Sequence, residues 1–147
     1  MVTRVLVLGA NGLLGHTLVR DLGPEVEVWG ATRSPASPHS PLRQWLAEDR
    51  WLGRVSIDQP GDVETAIARV RPHVVINCAG VIKQRDTSST ELWSTNARAP
   101  HRIADAVARA GARLVHVSTD CVFDGGRGGY TERDRPDADE DYGCSKR

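Results

Sequence analysis

The sequence carries no net charge, because 19 basic residues offset 19 acidic ones across 147 positions. A balanced surface gives no electrostatic pull toward nucleic acid or an anionic membrane, so no nucleic-acid and no membrane partner is expected. Nor does any stretch approach the roughly 18 consecutive apolar residues that span a bilayer. The apolar run Val5–Leu8 is too short for a signal peptide and gives way to glycines, which leads to the expectation of a cytoplasmic protein. Cysteine is scarce: Cys78, Cys121 and Cys144 are odd in number and share no metal-ligand spacing. They read as reduced thiols, and neither a disulfide framework nor a metal site is expected. His16, His39, His73, His101 and His116 are scattered and read as ordinary surface or core residues. Internal repeats, low-complexity tracts and interdomain linkers are also missing. Residues 1–147 therefore read as one domain, long enough to bury a real core.

What is present is organised around Gly9-Ala10-Asn11-Gly12-Leu13-Leu14-Gly15, which follows the apolar run and precedes a helical pattern. A strand that ends in glycines and turns into a helix gathers backbone N–H groups and the positive end of a helix dipole around one point, where a diphosphate can sit. Gly9 permits the tight turn, Gly12 lets the backbone approach a pyrophosphate, and Gly15 lets the helix pack closely on the strand. The alternative is a tight strand-to-helix turn with no ligand. Leu13, Leu14, Leu18 and Leu22 are expected to share one helical face.

In chain order, Thr3–Leu8 reads as a buried parallel strand and Gly12–Leu22 as a helix closed by Gly23-Pro24. Glu25–Gly30 is a second strand, Ser34–Pro41 an exposed loop, and Leu42–Leu52 a helical segment. Arg54–Ile57 is a third strand, followed by a helix capped by Asp62 and running to Val70. His73–Asn77 is a fourth strand, and Val81–Thr90 an irregular segment. A long helix from Glu91 to about Ala110 is interrupted by Pro100 and closed by Gly111. Arg113–Ser118 is a fifth strand, and Thr119–Asp141 is mostly loop. Strands alternating with helices predict an α/β, Rossmann-type, doubly wound parallel sheet in the order 3-2-1-4-5.

The ends of these strands carry the candidate chemistry. An acidic residue after the second strand binds a ribose 2′-hydroxyl, whereas a basic one accommodates a 2′-phosphate. The position holds Arg33 and no carboxylate, which favours NADP(H) over NAD(H); the other reading is a solvated loop cation. Asp58 stands where it could meet an adenine amino group or cap the next turn. The small residues of Cys78-Ala79-Gly80 leave room for a cofactor ribose. Tyr142 and Lys146, four residues apart, share a helix face, with Asp139 as candidate cap and Glu140 and Asp141 as first-turn acids. A phenol titrates near pH 10 in water, roughly, so it moves protons at neutral pH only if its anion is stabilised, which an ammonium one turn away does. A hydroxyl such as Thr119 polarises the carbonyl being reduced. This spacing also occurs as ordinary surface.

Together, Gly9–Gly15, Asn77-Cys78-Ala79-Gly80, Asn96, Ser118-Thr119-Asp120-Cys121-Val122-Phe123-Asp124-Gly125, Tyr130-Thr131-Glu132 and Tyr142-Gly143-Cys144-Ser145-Lys146 resemble the extended short-chain dehydrogenase/reductases. Within them, the sequence is most similar to the dTDP-4-dehydrorhamnose reductase group of sugar-nucleotide reductases. The resemblance implies NADPH-dependent reduction of a nucleotide-linked 4-keto-6-deoxy sugar. It makes Thr119, Tyr142 and Lys146 the catalytic set. Cofactor contacts fall to Gly9, Asn11, Gly12, Leu13, Leu14, Gly15, Arg33, Asp58, Cys78, Ala79, Gly80 and Asn96, with Tyr142 and Lys146. Val81, Thr119, Asp120 and Cys121 face the sugar. The family usually has tyrosine at Cys121 and a second proline at Ala138. Relatives continue well past the equivalent of Arg147 into a sixth strand and a substrate lobe, which leads to the expectation of a chain weak or inactive alone, with the oligomeric state open and a homodimer the candidate for a longer form. Two other functions share these motifs: an NAD-dependent nucleotide-sugar epimerase or dehydratase, and a non-catalytic dinucleotide-binding regulatory subunit.

Overall fold

The computed structural model describes residues 2–37, 39–82 and 88–147. Five strands, β1 (Arg4–Leu8), β2 (Glu27–Ala31), β3 (Trp51–Leu52), β4 (Val74–Asn77) and β5 (Arg113–His116), form one sheet in the order β3-β2-β1-β4-β5. Every pairing is parallel. The order is the expected one, and it reverses between β1 and β4, where a crevice opens beyond the strand ends. Val5 through Leu8 are all buried because β1 is covered on both faces, which is why its apolar run is continuous rather than alternating. Leu6 and Leu8 pack with Val75 and the helices α2 (Asp62–Val70) and α4 (Ala99–Arg109). Val5 and Val7 pack on the opposite side with Val19 of α1 (Leu13–Leu22), Leu42, Leu46 and Trp51.

Several expectations are corrected. The helix α1 buries Gly15 and Val19, whereas Leu13 is 88% and Leu14 42% exposed, since both sit at the helix head beside the crevice. Residues 42–52 form no long helix: 3-10 turns at Pro41–Gln44 and Glu48–Arg50 lead into β3. The spacing of Leu42 and Leu46 fits one helical face, yet Leu42 lies in the first turn and Leu46 just beyond it, and both pack with Val5 and Val7 of β1. The third strand accordingly lies at Trp51–Leu52 and not at Arg54–Ile57, where Arg54 turns to φ 61°. Asp62 does not cap α2. Gly61 holds that place at φ 90°, and the Asp62 carboxylate instead accepts from the Ser56 N–H at 2.9 Å.

The long helix starts at Ser89, so the last residues of the expected irregular segment 81–90 are helical; residues 83–87 lie outside those described. Pro100 does not interrupt it. The helix runs as α3 (Ser89–Trp93), a π turn (Ser94–Arg98) and α4, with Ala99 N–H donating to Ser94 O five residues back. Proline has no N–H to donate to the carbonyl four residues before it, and the wider turn just ahead absorbs that lost bond. Gly111, at φ 67°, ends α4 with bonds to Ala108 O and from Ala112 to Val107 O. The last element, α5 (Asp141–Lys146), is led by Glu140 and not by the expected Asp139. No helix among the described residues is long and apolar enough to cross a membrane.

Candidate functional site

A cleft of about 860 Å³ lies across the C-terminal ends of the strands. Gly9, Asn11, Gly12, Leu13 and Leu14 line it from the first turn, and Ala31, Arg33 and Ser34 from the end of β2. Val55 through Asp58 close one end. Cys78 through Ile82 form the wall after β4, Thr95 projects from the π turn, and Val117, Ser118, Tyr142 and Lys146 complete the other end.

The glycines act by closeness. Gly9 adopts φ 78°, and a β-carbon on it would stand 2.9 Å from Ala79 N. Gly9 and Ala10 both donate to Ala31 O at 3.0 Å, and Gly12 donates to Gly9 O at 2.9 Å, which fixes the turn. Gly12 then leads α1 with no side chain to cap it, so the first-turn N–H groups are left for an acceptor in the cleft. A bare glycine turn, uncapped donors and an elongated cleft fit a dinucleotide. Gly15 does not line the cleft; a β-carbon there would collide with Gly9 O, so it holds the helix against the turn.

At the end of β2, Thr32 is buried and accepts from Trp51 Nε1 at 2.9 Å while donating to Ser34 O at 2.8 Å. This leaves Arg33 at the cleft rim, 3.7 Å from the Glu91 carboxylate of α3. Asp58 accepts from Thr95 Oγ1 at 2.9 Å, tying the third crossover to the π turn. Cys78 sits in the wall with its thiol pushed up to about 11 by burial, which keeps it protonated and a poor nucleophile at neutral pH.

Asn96 does not line the cleft. It is buried, with Oδ1 accepting from Val81 N at 2.8 Å and Nδ2 donating to Val81 O at 2.9 Å and to Ser145 Oγ at 3.2 Å. Ser145 in turn donates to Tyr142 O at 2.7 Å, so Asn96 joins the wall after β4 to α5. Lys146 Nζ donates to Val117 O at 3.1 Å, and burial lowers its pKa from the ordinary lysine value. Thr119, Asp120 and Cys121 also lie off the cleft lining. The Thr119 hydroxyl donates to Asp120 Oδ1 and accepts from Cys121 N, each at 3.2 Å, capping the 3-10 turn Asp120–Val122.

Sequence reasoning missed Thr17, Ser34, Ser56, Thr95 and Val117 as lining residues, whereas Ser118, at the end of the expected fifth strand, does line the cleft. Thr17 had a signal, being one turn beyond Leu13 on α1. The others come from loops and a π turn, whose course no periodicity reveals.

The RmlD substrate binding domain model matches residues 3–147. The dTDP-4-dehydrorhamnose reductase of Streptomyces griseus is 31% identical over 98% of this chain and 42% of its own length. Methionine adenosyltransferase 2 subunit beta of Rattus norvegicus is 29% identical over 97% of this chain and 40% of its own. A crystal structure of dTDP-4-dehydrorhamnose reductase from Bacillus anthracis in complex with NADP superposes with a TM-score of 0.79 at 31% identity, covering 99% of this chain and 47% of that one. The chain thus spans about 40% of the length of these curated relatives. With the glycine turn, the wall after β4 and the Tyr142–Lys146 helix all inside the matched residues, the chain belongs to the RmlD substrate binding domain family.

Proposed function

We propose that this chain carries the dinucleotide site and catalytic residues of an NADPH-dependent reductase of a nucleotide-linked 4-keto-6-deoxy sugar. One observation carries the reading: the glycine turn, Arg33, Asp58, the Cys78–Val81 wall, Tyr142 and Lys146 line a single cleft. The reductase named above from Streptomyces griseus and the NADP complex from Bacillus anthracis support it.

Gly9, Asn11, Gly12, Leu13 and Leu14 receive the pyrophosphate on first-turn N–H groups, with Gly15 and Asn96 supporting from behind. Arg33 and Ser34 take the 2′-phosphate, which makes NADP(H) the preferred cofactor and NAD(H) the weaker one. The Asp58 oxygen not engaged by Thr95 accepts from the adenine amino group. Cys78, Ala79 and Gly80 lie along the ribose. Val81, Thr119, Asp120 and Cys121 border the sugar. When bound, the reduced nicotinamide supplies the hydride. Tyr142 gives its phenolic proton to the C4 carbonyl oxygen as negative charge develops there. Lys146, held by Val117 O, stabilises the phenolate that remains. The Thr119 hydroxyl polarises the same carbonyl once it swings away from Asp120.

Calorimetric titration with NADPH and NADH, on wild type and Arg33→Ala, tests the site. Tighter NADPH binding that Arg33→Ala abolishes is expected; a folded chain that binds neither dinucleotide overturns the reading. The similarity to methionine adenosyltransferase 2 subunit beta favours a second reading, a dinucleotide-binding regulatory subunit. Dinucleotide binding without turnover of keto-sugar nucleotides by a longer form of the protein would select it.

A further inference from the structure

His116 is absent from the chemistry proposed above, yet its ring meets a buried amide side chain behind the cleft wall. Asn77 and His116 are partners across β4 and β5, with Asn77 Nδ2 and His116 Nδ1 3.1 Å apart. Asn77 is 1% exposed, and its Oδ1 accepts from the Ala79 N–H at 3.1 Å. A carboxamide has one acceptor end and one donor end. Because a backbone N–H occupies the acceptor end, Nδ2 must donate, and His116 Nδ1 must offer it a lone pair. An imidazolium has none.

The amide in turn holds a critical stretch of backbone. Ala79 is the residue against which Gly9 packs, and Gly80 and Val81 continue the wall from there. On the other side of His116, the next residue's carbonyl, Val117 O, receives Lys146 Nζ. The ring therefore sits between the glycine-turn side of the cleft and the Lys146 side.

We propose that His116 is a positioning residue: as a neutral imidazole it fixes the Asn77 amide, and through it the Ala79 backbone, so that dinucleotide binding requires the uncharged ring. The binding half of this inference rests on the dinucleotide reading above. Partial burial, then Lys146 on α5 and His101 on α4, hold the His116 pKa below the ordinary histidine value of 6.5, while β4 presents the uncharged Asn77 amide. The ring is thus neutral at physiological pH, and protonation in the acid range turns an accepted hydrogen bond into two opposed donors. Affinity is then present above the folded-state pKa and lost as pH falls through it.

The test is calorimetric titration of NADP⁺ from about pH 7.5 down to about pH 5, on wild type and on His116→Gln, whose amide oxygen can accept from Asn77 without titrating. The ligand's own phosphate titrates near this range and affects both proteins equally. Wild type is expected to lose up to about tenfold more affinity than His116→Gln for each pH unit below the ring's pKa. Parallel losses would overturn the proposal. In the ligand-free wild type, nitrogen shifts of the ring should report the Nε2–H tautomer at neutral pH, and the protection of the Ala79 amide, relative to its intrinsic exchange at each pH, should fall as His116 titrates. An Nδ1–H tautomer, or Ala79 exchange indifferent to that titration, would overturn it even if dinucleotide binds. Should Ala79 follow His116 while no dinucleotide binds, the positioning role stands and the dinucleotide reading falls.

Discussion

The carbonyl oxygen of Cys121 occupies the place where a β-carbon on Gly143 would stand, and Ala138 Cβ lies 2.5 Å from the same point. The helix bearing Tyr142 and Lys146 is therefore seated on the turn after β5 through a bare glycine. Exposed helical glycines gain about 0.5–1 kcal/mol when replaced by alanine, whereas forcing an added methyl into packed atoms costs about 1–3 kcal/mol. Here the obstruction is backbone, which cannot rotate away, so the clash wins. Gly143→Ala should loosen α5, seen as faster amide exchange at Cys144, whose N–H now donates to Glu140 O at 2.9 Å. Unchanged exchange would mean that the turn can shift to make room.

Thr32 and Trp51 make a similar case on the β2–β3 side. The buried hydroxyl accepts the Trp51 indole N–H, so Thr32→Val, though close in shape, leaves that donor without its partner. Loss of about 1–3 kcal/mol is expected in urea unfolding followed by circular dichroism, and Thr32→Ser should recover most of it. A Thr32→Val protein as stable as wild type would mean that the indole N–H finds another acceptor.

Glu91 holds Arg33 from across the cleft mouth, with the two side chains 44% and 63% exposed. A pair this exposed is worth at most about 1 kcal/mol, equal to about fivefold in affinity. Glu91→Gln should therefore strengthen NADPH binding by no more than that, leave NADH unchanged, and show its effect most clearly at low salt. Weaker NADPH binding in this variant would show instead that Glu91 orients the guanidinium toward the ligand.

Much of this architecture is legible in the residues themselves. The continuous Val5–Leu8 run and the β-branched Val74-Val75-Ile76 read as strands, the first covered on both faces, and glycines after the first mark the crevice. Segment 42–52 was not legible, because apolar residues four apart fit a short turn and the bend after it as well as they fit a helix. Leu13 and Leu14 misled for a different reason: an apolar side chain facing a ligand cleft looks, in sequence, like one facing the core. Asn96 was visible as a polar residue in a long helix. That it braces the wall through Val81 and Ser145 depends on a π turn that residue patterns do not announce. The site depends on loops and terminal turns meeting, and only contacts between distant residues decide that.

The π turn has one more consequence. Each α-helical residue advances the chain by about 100° around the axis, and a π turn inserts one residue beyond the regular repeat. The faces of α3 and α4 are therefore out of phase with each other by about that angle. Removing a single residue between Ser94 and Arg98 would restore the regular α repeat and leave the carbonyl four residues before Pro100 without a donor. It would also wind Thr95 and Asn96 away from Asp58 and Val81 and undo the brace that joins the third crossover, the β4 wall and α5. In this protein, the regular helical repeat and the assembled cleft are mutually exclusive.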